Sequence, residues 1–294
     1  MPIHFTCPHC GVAAEVDQRF AGETGPCANC GKAITIPGNG ADRSFVLRGR
    51  TVTTSLIVLS AAVLFVMLLV IVGAVAIWWP AASSARNAAL RAQCANNLKQ
   101  IALAMINYEV ANGSFPPAYL PDKHGKPMHS WRVLLLPYLE QQDLHDRYRF
   151  DEPWDGANNR KITDLAIGLY QCPSQPAGNG SDTNYVMIVG PHTISKGAES
   201  RKITEITDGL ANTIMIVEVA DSGIPWAEPR DLQFNRLSFK INGAKCKEVS
   251  SYHPPGANAA FCDGSVRLLK NGTNPQLVKA MATIDGGESA TEEK

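Results

Sequence analysis

The chain has 294 residues, 27 basic against 27 acidic, and a hydrophobic share of 45%, so it carries enough apolar material for a core but no overall charge bias. Residues 1–50 hold five Lys/Arg and four Asp/Glu, and residues 81–294 hold 22 and 23, so neither part has the basic field of a nucleic-acid binder. The chain lacks H-E-x-x-H, G-x-S-x-G, S-x-x-K and a phosphate-cradling glycine loop, which leaves the common hydrolase and nucleotide-binding classes without motif support.

The first element is a pair of C-x2-C knuckles, Cys7-Pro8-His9-Cys10-Gly11 and Cys27-Ala28-Asn29-Cys30-Gly31, separated by 16 residues. Four thiolates at this spacing can converge on Zn²⁺, and a glycine after each pair lets the backbone turn and aim amide hydrogens at the sulfurs. Short strands are predicted at residues 13–16 and 33–36. A module of residues 1–37 is too small to fold on an apolar core, so metal binding would supply most of its folding free energy. Four thiolates close the coordination shell and leave no open position for catalysis, so His4 and His9 are read as surface residues. The module's few charges, Arg19 and Lys32 against Glu15, Asp17 and Glu23, point to a structural or protein-contact role.

Residues 38–51 form a polar, breaker-rich linker carrying Arg43, Arg48 and Arg50. Residues 52–79 follow, 28 positions without a charge. At about 1.5 Å per residue they are long enough to cross a hydrocarbon layer of about 30 Å. Trp78 and Trp79 suit an interface belt. Beyond Pro80, where a kink is expected, Leu90, Cys94, Leu98, Ile101, Met105 and Tyr108 recur at intervals of three and four, the pattern of one apolar helical face. The helix is predicted to continue over 80–113 and to stop at Gly113 and Pro116-Pro117. The arginines before the span and the reduced, metal-binding cysteines of the N-terminal module predict a cytoplasmic N-terminus and an external C-terminal domain.

The remaining chain to residue 285 reads as α+β. Residues 130–148 predict one or two short helices interrupted by Pro137. Strands are predicted at 184–189, 213–218, 258–262 and 265–269, the last two joined by Asp263-Gly264 in a type I′ hairpin. The acidic residues Asp143, Asp146, Asp151, Glu152 and Asp155, interleaved with Arg147 and Arg149, read as a solvated, salt-bridged face. The Asp208-Gly209 turn with Asn212 is read as a turn before it is read as a Ca²⁺ loop. Residues 286–294 are a polar tail, expected to be disordered.

Several stretches of this region also occur in the order of a known family. They are Cys94-Ala95-Asn96-Asn97-Leu98-Lys99-Gln100-Ile101, Asn112-Gly113-Ser114-Phe115-Pro116-Pro117, Ser130-Trp131 through Gln141, Cys172-Pro173-Ser174, residues 206–213, and His253 followed after nine residues by Asp263-Gly264. Together they resemble the bacterial DUF1559 family of pilin-like, general-secretion-pathway-G-like proteins with a C-terminal H-x9-DG motif. The resemblance implies a pilin-like fold, with a long helix whose first half is transmembrane and whose second half packs on an antiparallel sheet. It departs from the family pattern at Arg48-Gly49, where Arg50 follows and the fifth position is Thr54 instead of glutamate. Prepilin-type cleavage is therefore not expected, and the span reads as an uncleaved anchor.

Four cysteines outside the knuckles, Cys94, Cys172, Cys246 and Cys262, allow three pairings. Cys94 with Cys172 and Cys246 with Cys262 come first, with free buried thiols as the alternative. His253 and Asp263 are of types that suit a metal or catalytic site, but loop and turn roles explain them as well. The combined expectation is a non-enzymatic, single-pass protein of the bacterial inner membrane, with Zn²⁺ in its ribbon, protein partners on either side and an open oligomeric state. A transmembrane sensor with a ligand-binding outer domain is one alternative; a metal-dependent hydrolase using His253 and Asp263 is another.

Overall fold

A computed structural model describes residues 2–38, 50–176, 180–243, 248–253 and 255–287. Most of the expected linker, Cys246 and residues 288–294 lie outside the described residues. The chain divides into two compact units, Met1–Val75 and Ala76–Lys294.

The first unit opens with two antiparallel hairpins, β1 (Ile3–Thr6) with β2 (Ala13–Val16) and β3 (Thr24–Pro26) with β4 (Ala33–Thr35). Within residues 2–38 only Cys7 and Cys27 are buried, so hardly any apolar core supports these strands. Helix α1 (Arg50–Asn112) then runs without a break through Pro80. Every described side chain from residue 56 to 89 is exposed, including Leu64, Phe65 and Ile71, so the apolar surface extends all round the helix. A helix with apolar side chains exposed on every side is compatible with a membrane span. Among the described residues this is the one helix long and apolar enough to cross a membrane, by length and composition.

From Cys94 onward the helix changes character, and Cys94, Leu98, Ile101, Ala102 and Met105 are buried along one face. The helix stops where the sequence indicates. Gly113 takes φ +74° and its amide donates to Glu109 O at 2.7 Å, a C-terminal cap that a side chain would strain.

The second unit has strands β5 (Tyr119–Pro121) and β6 (Pro127–Ser130), then helices α2 (Trp131–Leu134) and α3 (Gln142–Arg147) separated by a 3-10 turn that contains Pro137. Next come α4 (Arg160–Thr163), β7 (Tyr185–Val186), β8 (Ile188–Val189), β9 (Ile214–Glu218), β10 (Leu232–Gln233), β11 (Gly256–Phe261), β12 (Val266–Lys270) and α5 (Pro275–Met281). The main sheet is antiparallel in the order β12-β11-β9-β7. Both faces of its central strands are covered. Met215, Ile216, Ala260 and Cys262 share a core with Leu98, Ile101 and Met105 of α1, while Ile214, Val217, Ala259 and Phe261 share a second core with Val278 and Met281 of α5.

Two details differ from the sequence expectation. The run 184–189 does not form one strand; it breaks at Met187, whose amide donates to Asp231 Oδ1 at 2.9 Å and whose carbonyl accepts from Leu232 N at 3.1 Å. The chain thereby leaves the main sheet, and β8 pairs in parallel with β10. The second concerns the hairpin after β11, which is present but is not type I′. Only Gly264, at φ +79°, has positive φ there, with Gly264 N bonded to Phe261 O and Phe261 N to Ser265 O. These bonds describe a tight turn followed by a left-handed glycine, a three-residue connection.

Candidate metal centres

Both N-terminal knuckles are built in the same way. Cys7 N bonds Val12 O and Gly11 N bonds Cys7 O in the first; Cys27 N bonds Lys32 O and Gly31 N bonds Cys27 O in the second. Gly11 and Gly31 sit at φ +67° and +71°, the left-handed turns that glycine alone takes without strain. The ligand atoms of Cys7, Cys10, Cys27 and Cys30 all lie within 4.8 Å of one another. Across the quartet, Cys7 Sγ is 3.9 Å from Cys30 Sγ and Cys10 Sγ is 3.8 Å from Cys27 Sγ. A tetrahedron with metal–sulfur bonds of about 2.3 Å has an edge of about 3.8 Å, so the sulfurs already stand at the spacing a bound ion requires.

The electrostatics agree with that geometry. The backbone amide of Val12 and the side chain of Asn29 lower the Cys10 thiol to about 6, and the amides of Cys30 and Asn29 lower Cys27. Cys30 gains from the Lys32 amide, yet desolvation and the neighbouring thiols push it up to about 11. His4 does not join the quartet, since it pairs with Glu15 at 3.2 Å on the exposed sheet surface; His9 is exposed.

In the second unit the motif residues fall into two separate places. Asp263 serves the turn, where its Oδ1 accepts from Ser265 N at 2.8 Å, and the Gly264 carbonyl accepts from Lys99 Nζ of α1 at 2.5 Å. His253 is buried, and its Nε2 lies 3.2 Å from both Cys94 Sγ and Cys172 Sγ. The two sulfurs are 2.7 Å apart. Glu218, at the end of β9, completes a buried group of four whose ligand atoms lie within 4.8 Å of one another. Burial holds the Glu218 carboxyl above its ordinary range, and burial together with Arg91 keeps the imidazole below its own.

Three of the four are held by further hydrogen bonds. Cys172 N donates to Asn184 Oδ1 at 2.6 Å, His253 N to Ser251 Oγ at 3.1 Å, and Glu218 Oε2 accepts from Asn258 N at 2.7 Å. The sequence had singled out Cys94, Cys172 and His253 but not Glu218. The available signal was a lone carboxylate ending the apolar run Ile214-Met215-Ile216-Val217. Cys262 is a buried free thiol in the core beneath α1, and burial pushes its pKa up. Its expected partner Cys246 lies outside the described residues.

Two of the other acidic candidates have structural partners. Glu152 accepts from Asn158 N and Asn159 N at 2.9 and 2.7 Å, and Asp208 accepts from the amides of Gly286 and Gly287 at 2.8 and 3.0 Å. Asp143, Asp146, Asp151 and Asp155 are exposed, and among the described residues neither Arg147 nor Arg149 forms an ion pair.

These features define an α+β protein with one long apolar helix and a four-cysteine module ahead of it. Its family is also established, because the model described as "Protein of unknown function (DUF1559)" matches residues 83–236 and 220–276, more than half of the chain, and the chain belongs to that family. No curated protein and no solved structure matches it.

Proposed function

We propose that the chain is a non-enzymatic, single-pass protein of the bacterial inner membrane. In this reading Cys7, Cys10, Cys27 and Cys30 hold a structural Zn²⁺ in a cytoplasmic ribbon that contacts a protein partner, while the DUF1559 domain serves envelope or secretion-related assembly outside. The observation that carries the reading is the run of exposed apolar side chains round α1 from residue 56 to 79, set between the cysteine module and a separately packed domain. Zinc is favoured over other ions by four thiolates at tetrahedral spacing. Three arginines before the span against Arg86 and Arg91 after it favour the stated orientation.

Protease added to spheroplasts, with zinc and intact mass measured on the purified chain, tests the proposal. A protected N-terminal module, a digested C-terminal domain and about one ribbon-bound zinc support it. External digestion of the module reverses the orientation. A chain beginning at Arg50 means that a prepilin-type peptidase removes the module ahead of the span and leaves the span in place, and brings filament assembly forward.

A further inference from the structure

Cys94, Cys172, Glu218 and His253 reach one point from four places in the fold: the second half of α1, the loop after residue 170, the end of β9 and the loop before β11. All four are buried. The imidazole Nε2 stands equally distant, 3.2 Å, from the two sulfurs. The fourth member supplies an independent sign. Glu218 Oε2 is satisfied by Asn258 N, while Oε1 is buried with no hydrogen-bond partner among the described residues, as is Asn258 Nδ2 on the neighbouring strand. An orphaned carboxylate oxygen in an otherwise packed core is a costly arrangement that calls for a missing partner.

We propose that this cluster is a second metal site, in which Cys94, Cys172, His253 and Glu218 Oε1 bind a thiophilic divalent cation of the Zn²⁺ class. Two thiolates, an imidazole and a carboxylate form a complete tetrahedral donor set, so the site is closed and structural, with no open position for water. It holds the soluble half of α1 against the sheet, because Cys94 alone comes from the helix while the other three ligands come from the body of the domain. The supporting amides and hydroxyl of Asn184, Ser251 and Asn258 fix the ligands as outer-shell groups do at metal sites. The ion would part the sulfurs from 2.7 Å to an edge of about 3.8 Å. A disulfide between Cys94 and Cys172 is the rival occupant of the same space. It accounts for two of the four groups and leaves Glu218 Oε1 without a partner, whereas a cation accounts for all four.

The test uses full-length protein in detergent, reduced with a phosphine and titrated with Co²⁺. In a Cys7→Ser/Cys10→Ser background the ribbon quartet is disabled, so a failure of ribbon metal binding and a failure of this site read separately. The expected result is about one Co²⁺ per chain with sulfur-to-cobalt charge transfer and strong tetrahedral d–d bands. Adding Glu218→Gln or His253→Ala should weaken binding at least about tenfold, and Cys172→Ser should abolish it. If the second unit of the ribbon variant does not fold, the comparison moves to the otherwise unaltered chain, in which Cys172→Ser should lower the bound metal by about one equivalent. No cobalt in the folded, reduced ribbon variant, a Cys94–Cys172 disulfide that persists after reduction, or metal content unchanged by Cys172→Ser with His253→Ala would each overturn the site.

Discussion

Arg132 and Asp231 show how much of this domain depends on single buried polar groups. Their side chains are 0% and 2% exposed and meet at 2.7 Å. Arg132 also donates to Tyr185 O and Ser130 Oγ, and Asp231 accepts from Trp131 Nε1 and Met187 N. Burial holds the Asp231 carboxyl above its ordinary range even beside the guanidinium, so the pair is costly to desolvate and is maintained by the bonds around it. Asp231→Ala should therefore destabilise the second unit by about 3–5 kcal/mol, because it leaves a buried cation unpaired and frees the amide that redirects the chain at Met187. Urea unfolding followed by tryptophan fluorescence measures it. The double change Arg132→Met/Asp231→Leu should recover much of the loss, and a double variant as unstable as the single one would show that the hydrogen bonds matter more than the charge balance.

At the level of elements, the β11–β12 hairpin offers a sharp contrast. A Cβ built on Gly256 would meet Leu269 O at 2.0 Å and Leu269 C at 2.8 Å, both backbone atoms, so Gly256→Ala must separate the strands where Gly256 pairs with Lys270. A loss of about 1–3 kcal/mol is expected. Gly272→Ala, with nothing within 4 Å, should stay within about 0.5 kcal/mol, and a thermal melt of the two variants side by side checks both. On α1, Leu98→Ala should cost about 2–5 kcal/mol in the same assay, since Leu98 is fully buried in the core shared with the sheet. The elements most legible in the sequence are those fixed by local rules. The helix face from Cys94, its glycine stop, β9, β11 and β12 follow from periodicity and turn residues. What was not legible depends on partners distant in sequence. The break at Met187 comes from Asp231 and Leu232, more than forty positions away, and its flanking residues Tyr185, Val186, Ile188 and Val189 still read as one strand. The knuckle site was legible because four identical ligands at fixed spacing specify it, whereas His253 was matched with Asp263 by motif adjacency and the fold instead sets it beside two cysteines and Glu218.

For the whole molecule, the two compact units rest on different forces. The N-terminal hairpins bury little besides Cys7 and Cys27, so the apolar contribution that stabilises the second unit is nearly absent there. The metal proposed for Cys7, Cys10, Cys27 and Cys30 would supply the difference, since structural zinc sites of small modules contribute on the order of 10–16 kcal/mol at neutral pH. The second unit, by contrast, has two cores on the two faces of one sheet and needs nothing from the ribbon to close them. Cys7→Ser/Cys10→Ser should therefore unfold residues 2–38 while leaving the melting of the second unit unchanged. Hydrogen exchange on the full chain in micelles separates the two readings. Amides at the knuckles, such as Gly11 N and Gly31 N, should lose protection in the variant, whereas those of β9 and β11 should exchange as before. A parallel loss of protection in β9 would mean that the ribbon and the DUF1559 domain fold as one cooperative unit, and the stability of each could then no longer be assigned to its own residues.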